Sequence, residues 1–180
     1  FLEGFAPSDT ATARFECLGP DRTGPGVSKI VALNDPRQVM VFFDEPVEKT
    51  TAQQAGNYSI SGGIEVQAAE LDDDGQTVRL RLSGPLGPGE YRLGVKNVRD
   101  RSKAGNVMKA LTGAPFRFQN LPGLVGYWSF DILSGPTVKD LSPARIDGTA
   151  WDDLYPRATR VSGVRGKAIY LDGKDDMVDV

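Results

Sequence analysis

Short apolar stretches, many of them alternating with polar residues, run from about residue 27 to residue 119, cut at intervals by glycine and proline. Gln38-Val-Met-Val-Phe-Phe43 is almost wholly apolar. That is the pattern of a strand covered on both faces or set in a sandwich core. Asp44-Glu-Pro46 ends it, because proline cannot donate to a ladder. In Thr77-Val-Arg-Leu-Arg-Leu82 the period is two: Val78, Leu80 and Leu82 share one face, and Thr77, Arg79 and Arg81 share the other. Glu90–Lys96 repeats the alternation with Tyr91, Leu93 and Val95 inward, and Pro115–Gln119 puts Phe116 and Phe118 on one face. Ser28–Leu33, Asn57–Ser61 and Ile64–Leu71 complete the set, with Asp72-Asp-Asp-Gly75 as a tight turn into the next strand. The pattern predicts an all-β chain with one sandwich over residues 27–120.

The two ends read differently. Residues 1–26 hold one predicted strand, Ala13–Leu18, and then the linker Gly19-Pro-Asp-Arg-Thr-Gly-Pro-Gly26, so they read as the tail of a preceding module plus a Pro/Gly linker. Residues 121–180 open a second β module with a predicted strand over Leu124–Phe130, in which Trp128 is expected to be core, and the chain reaches Val180 before that module closes. Tyr127, Phe130, Trp151, Ile169, Tyr170 and Met177 then need a second sheet over whichever of them face inward. Half a sandwich leaves open strand edges. Cover from the remainder of the same polypeptide, or from another protein chain, is the expectation.

Composition narrows the chemistry. Hydrophobic residues make up 39% and charged residues 25% of the 180, ordinary globular usage. The net charge of −3 supplies no basic field, so nucleic acid is not an expected partner. No apolar stretch reaches the length of about 18 residues that spans a bilayer as a helix. Histidine is absent, which removes the commonest general base, zinc ligand and haem ligand, and with them Ser-His-Asp and Cys-His catalysis within this chain. No haem, zinc or nucleotide cofactor is expected. Cys17 is the single cysteine, so no internal disulfide forms, and it reads as an ordinary residue of the leading strand.

Two resemblances sharpen the picture. Val39-Met-Val-Phe-Phe-Asp-Glu-Pro-Val47, Ala55-Gly-Asn-Tyr58, Leu71-Asp-Asp-Asp-Gly75, Gly89-Glu-Tyr-Arg-Leu93, Val98-Arg-Asp100 and Gly105-Asn106 occur in an order and spacing that resembles the bacterial immunoglobulin-like domain of surface-layer proteins. The regular strand spacing agrees with that sandwich. The resemblance implies a structural spacer in an exported multidomain protein and no catalytic residue. Gly123-Leu-Val-Gly-Tyr-Trp-Ser-Phe-Asp131, Val138-Lys-Asp140, Asp147-Gly-Thr149, Gly163-Val-Arg-Gly-Lys-Ala168 and Leu171-Asp-Gly-Lys-Asp-Asp-Met-Val178 resemble the N-terminal part of a laminin-G-like, concanavalin-A-type jelly roll. The fold expected is therefore an immunoglobulin-like β-sandwich followed by a partial jelly-roll β-sandwich.

Candidate sites emerge from residue chemistry. Glu70-Leu-Asp-Asp-Asp-Gly75 spaces its acids like an EF-hand loop, but the twelfth position is Arg81 and the flanks are strands, so it reads as a hairpin turn. Asp131, Asp140, Asp147, Asp172, Asp175 and Asp176 fall at strand ends or turns, where hard oxygen ligands suit calcium. The jelly-roll resemblance implies Asp172, Asp175 and Asp176 as the metal ligands and calcium as the cofactor. Trp151 and Tyr155 flank Asp152-Asp153 and stand next to Pro156, a loop-like setting that makes them the candidate glycan-stacking pair. Asn57-Tyr-Ser59 is an incidental sequon. The expected role is non-catalytic: a spacer or assembly segment of a larger exported bacterial surface protein, extracellular or at the cell surface, whose jelly roll binds glycan or protein. The alternative is a set of accessory modules in a large secreted carbohydrate-active or redox enzyme with its catalytic domain outside this chain.

Overall fold

The computed structural model describes residues 21–131, 135–151, 159–164 and 166–180. The predicted strand at 13–18, Cys17 and Tyr155 lie outside them.

Seven strands form one continuous hydrogen-bonded sheet folded on itself as a sandwich: β1 (Val27–Leu33), β2 (Gln38–Phe43), β3 (Tyr58–Ile60), β4 (Val66–Leu71), β5 (Thr77–Leu82), β6 (Glu90–Val95) and β7 (Leu111–Gln119), in the order β3-β6-β7-β1-β2-β5-β4. The fold closes because β1 changes partner midway. Its first part runs antiparallel to β2, from Val27 opposite Phe43 to Val31 opposite Met40, with a bulge between Val27 and Lys29. Its last two residues, Ala32 and Leu33, run parallel to β7 at Phe118 and Gln119. A bulge raises local twist and bends a strand, which suits a strand that joins both layers.

Between the layers lie Val39, Val41 and Phe43 of β2, Val78, Leu80 and Leu82 of β5, Leu93 and Val95 of β6, and Phe116 of β7, closed at the ends by Val47, Leu86, Val98 and Met108. Each large apolar side chain removed from water contributes about 1.5–3 kcal/mol. The inward faces expected for β5 and β6 are those found. Between β2 and β3 the chain makes a short helix, α1 (Lys49–Ala52), and a 3-10 turn over Ala55–Asn57, neither of which the alternation predicted. Asn57 of the sequon is buried and donates through Nδ2 to the Thr51 carbonyl at 2.8 Å, so its side chain serves the fold.

Gly75 takes φ of +69°, and its amide donates to the Asp72 carbonyl at 3.0 Å. Asp74 Oδ1 accepts from the amides of Gln76 and Thr77, each at 2.8 Å, and Oδ2 accepts from Thr77 Oγ1 at 2.7 Å. These bonds make the acidic run a hairpin turn, as its sequence indicated.

Beyond residue 120 the strands are short. β8 (Thr137–Val138), β9 (Gly148–Trp151) and β12 (Met177–Asp179) form a three-stranded antiparallel sheet in the order β12-β9-β8, and β10 (Thr159–Ser162) pairs with β11 (Lys167–Tyr170). The predicted strand over Leu124–Phe130 does not form: only Trp128 pairs, through an isolated bridge to Asp140. A single carboxylate explains the local departure, because Asp140 captures the Tyr127 amide at 2.9 Å that a ladder would have used. Trp128 is half-buried and donates through Nε1 to the Ile146 carbonyl at 3.0 Å.

Val125, Val164, Tyr170, Leu171, Met177 and Val180 are exposed, with Val164 fully so. Ala150, Val138 and Leu141 are buried. The segment is thus covered around Val138, Leu141 and Ala150 and open over its later strands.

Candidate functional site

The strongest convergence of chemical groups lies where residues 137–147 meet the outer face of the sandwich. β2 presents Met40 and Phe42 outward, and Leu141, 1% exposed, packs against both, with Val31 of β1 at the margin. This contact explains why β2 is apolar on both faces.

Next to Leu141 runs a line of charges. Lys139 Nζ lies 3.1 Å from Asp72 Oδ2, at the β4–β5 turn, and 3.0 Å from Asp147 Oδ2. Arg79 Nε donates to Asp72 Oδ1 at 2.8 Å and lies close to Oδ2 at 3.0 Å. Arg79 and Thr77, assigned by their alternation to the polar face of β5, are therefore buried. Burial alone works against the Lys139 ammonium; the bond to Asp147 and the charge of Asp72 outweigh it and hold the amine above its ordinary value.

Asp140 organises the covering loop. Its Oδ1 accepts from the amides of Tyr127 (2.9 Å) and Ser142 (2.8 Å), and its Oδ2 from Ser142 Oγ (2.8 Å) and the Ile146 amide (3.0 Å). Asp147 Oδ1 accepts from the Asp140 amide at 2.9 Å. Burial opposes ionisation of Asp140, yet the bonds from Tyr127, Ser142 and Ile146 hold its carboxyl below the usual carboxylate range. Asp131 behaves alike. Burial opposes its charge, while the Lys29 ammonium and the Lys167 amide, the latter at 2.8 Å, lower its value, and Lys29 ties it to β1. Arg145 reaches back from the loop to the Gln38 side-chain carbonyl.

Three of the six aspartates singled out by position, Asp131, Asp140 and Asp147, are thus committed to internal bonds. The other three come together: carboxylate oxygens of Asp172, Asp175 and Asp176 lie within 4.8 Å of one another in the β11–β12 turn. Asp176 Oδ2 accepts from the Asp172 amide at 2.6 Å, Asp172 Oδ1 from the Lys174 amide at 2.9 Å, and Lys174 Nζ sits 3.6 Å from Asp172.

Trp151 is not in a loop. It ends β9, opposite Met177 of β12, with its ring half-buried and its Nε1 buried, because the pairing with β12 extends to that residue.

A second acidic group was not anticipated. Asp21, Glu45 and Asp100 also bring carboxylate oxygens within 4.8 Å of one another. Asp100 is 2% exposed and binds the Ser102 amide (3.1 Å), Ser102 Oγ (2.9 Å), the Asn106 amide (3.0 Å) and Asn106 Nδ2 (2.8 Å). This hub gives a physical reason for the Asp100 and Gly105-Asn106 elements of the first resemblance. Burial, and then the charges of Asp21, Asp100 and Asp44, push the Glu45 carboxyl up. The three acids come from separate segments, so no local spacing signals the group.

These features define an all-β chain whose densest polar chemistry ties two parts of the fold together. No family model matches the sequence. A segment of 80 residues, 44% of the chain, is 32% identical to the "Surface-layer 125 kDa protein" of Lysinibacillus sphaericus, and spans about 7% of that protein's length. Among solved structures, the S-layer protein rSbsC(31-844) superimposes with a TM-score of 0.47 at 21% identity, covering 86% of this chain and 23% of that one. The surface layer protein SbsC, domains 1-6, gives 0.48 at 16% identity, covering 86% and 25%. Superpositions this loose carry no functional weight. Among the described residues, no helix is long and apolar enough to cross a membrane.

Proposed function

We propose that this chain is a non-catalytic structural segment of a larger exported bacterial surface-layer protein, located at the cell surface. The observation that carries the reading is the junction: Lys139 pairs with Asp72, which Arg79 also holds, while Asp140 and Asp147 fix the loop that presents Lys139 to the sandwich. A spacer needs a fixed angle between its parts, and buried, mutually bonded charges give such specificity at the expense of desolvation. The similarity to a surface-layer protein supports the same reading. In finer terms, we take residues 27–120 as an immunoglobulin-like sandwich and residues 121–180 as the start of a jelly roll. Its exposed strands are covered by more of the same polypeptide or by a neighbouring protein.

The test is deletion of these residues from the polypeptide that carries them, followed by electron cryotomography of the cell surface. The expected result is a protein still exported but an array lost or changed in period. An unchanged array with loss of an enzymatic activity would favour the accessory-module alternative.

The clustering of Asp172, Asp175 and Asp176 favours a second reading for that turn, a calcium site. Calcium titration by calorimetry, with Asp176→Asn as control, tests it; heat that is unchanged by the substitution would remove it. For Trp151, its place in β9 and half-buried ring favour packing over sugar stacking.

A further inference from the structure

Beside the junction, a cleft of about 750 Å³ opens on the outer face of β2, β4 and β5, lined by Arg37, Arg79, Arg81 and Arg145 against Asp35 and Glu70. Four guanidiniums facing two carboxylates make this a cationic spot on a chain whose net charge is −3. Asp72 neutralises Arg79. The other three hold neutral partners or none: Arg37 donates to the Ser83 carbonyl at 3.3 Å, Arg145 to the Gln38 side chain, and the Arg81 guanidinium to nothing among the described residues. The backbone that carries these side chains is held in place. Arg81 sits on β5 between β2 and β4, opposite Gln38 and Ala68. Arg145 takes φ of +55° in the loop that Asp140 holds. Guanidiniums prefer carboxylates, and a preorganised set loses little entropy on binding them.

Among the described residues, carboxylate oxygens of Asp172, Asp175 and Asp176 group in one turn, with Asp172 and Asp175 exposed and Asp176 half-buried. We propose that the arginine cleft of one copy receives the acidic turn of a second copy. The two surfaces differ, so the contact is heterologous and leaves a free cleft at one end and a free turn at the other. Repetition of such a contact builds an open assembly, not a closed dimer. The inference rests on the structural-segment reading, but its test reads mass in solution; failure here leaves the deletion experiment to decide that reading separately.

Sedimentation velocity of the full 180-residue chain in chelator-containing buffer tests the docking. At about 0.1 M salt the wild type should associate with rising concentration, and at about 1 M salt, where the screening length falls from about 10 to about 3 Å, association should weaken about tenfold or more. Arg81→Gln with Arg145→Gln should remain monomeric, as should Asp172→Asn with Asp176→Asn. Mixed in equal amounts, the two variants should form a heterodimer and nothing larger, because one keeps its turn and the other its cleft. A wild type that stays monomeric at millimolar concentration, association that ignores both variants, or a mixture that yields no heterodimer would each overturn the proposal.

Discussion

Lys139 Nζ lies 3.1 Å from Asp72 Oδ2, joining the segment after β8 to the turn between β4 and β5. The lysine side chain and Asp72 are each about one-tenth exposed, and Arg79 completes the group. Removing the lysine would leave Asp147 without its ammonium and Asp72 with Arg79 alone. Breaking a buried pair from one side costs about 3 kcal/mol. Lys139→Met should therefore lower the urea midpoint of the whole chain and open residues 137–147 to protease. An unchanged midpoint and cleavage pattern would show the pair to be dispensable.

The same groups set the pH response. Asp140 and Asp131 have folded-state values below the ordinary carboxylate range. Their contribution is fully present above the unfolded value of about 4 and is lost as pH falls through the folded values. Lys139 is raised, so its contribution is present below about 10.4 and is lost as pH rises through the folded value. Stability should form a plateau across neutral pH and fall at both ends. Asp140→Asn should cost about 2 kcal/mol at pH 7, where the carboxylate accepts four bonds, and should flatten the acid limb. Denaturant titrations at pH 3, 7 and 11 check the shape; an acid limb identical in wild type and variant would contradict it.

At the β4–β5 turn, Asp74→Ala removes three accepted bonds and should cost about 2 kcal/mol. Gly75→Ala places a side chain at φ +69° and should cost about 1 kcal/mol. Thermal unfolding measures both. Because Asp72 sits in the same turn, hydrogen exchange should also show faster opening of residues 139–142 in Asp74→Ala, and exchange there that matches wild type would separate the turn from the junction.

How much of this was legible in the sequence varies by residue. Gln38–Phe43 and Thr77–Leu82 match the predicted strands residue for residue, because apolar periodicity and the flanking turns agree there. The double-sided burial of β2 was readable from Met40 and Phe42, but not what covers them, since Leu141 lies about a hundred residues along the chain. Alternation placed Thr77 and Arg79 on the face opposite Val78, Leu80 and Leu82, but it reports polarity and not burial: both are buried, Arg79 bonded to the same Asp72 that holds Lys139. Leu124–Phe130 carries strand-like residues, yet a carboxylate from Asp140 takes the backbone bond that pairing needs. The acidic turn at Asp172–Asp176 was singled out by the jelly-roll resemblance, whereas the arginine cleft was not legible, because Arg37, Arg81 and Arg145 come from three separated segments.

The central claim is that the outer face of β2 and β5 serves as cover for the start of the second segment, so that the two parts open together. Native-state hydrogen exchange on Leu141→Ala tests this most directly. Truncating a side chain that is 1% exposed should cost about 2–4 kcal/mol. The account predicts faster exchange in residues 139–142 and also at the amides of β2 and β5 beneath them. Faster exchange confined to residues 139–142, with β2 and β5 as protected as in wild type, would contradict it.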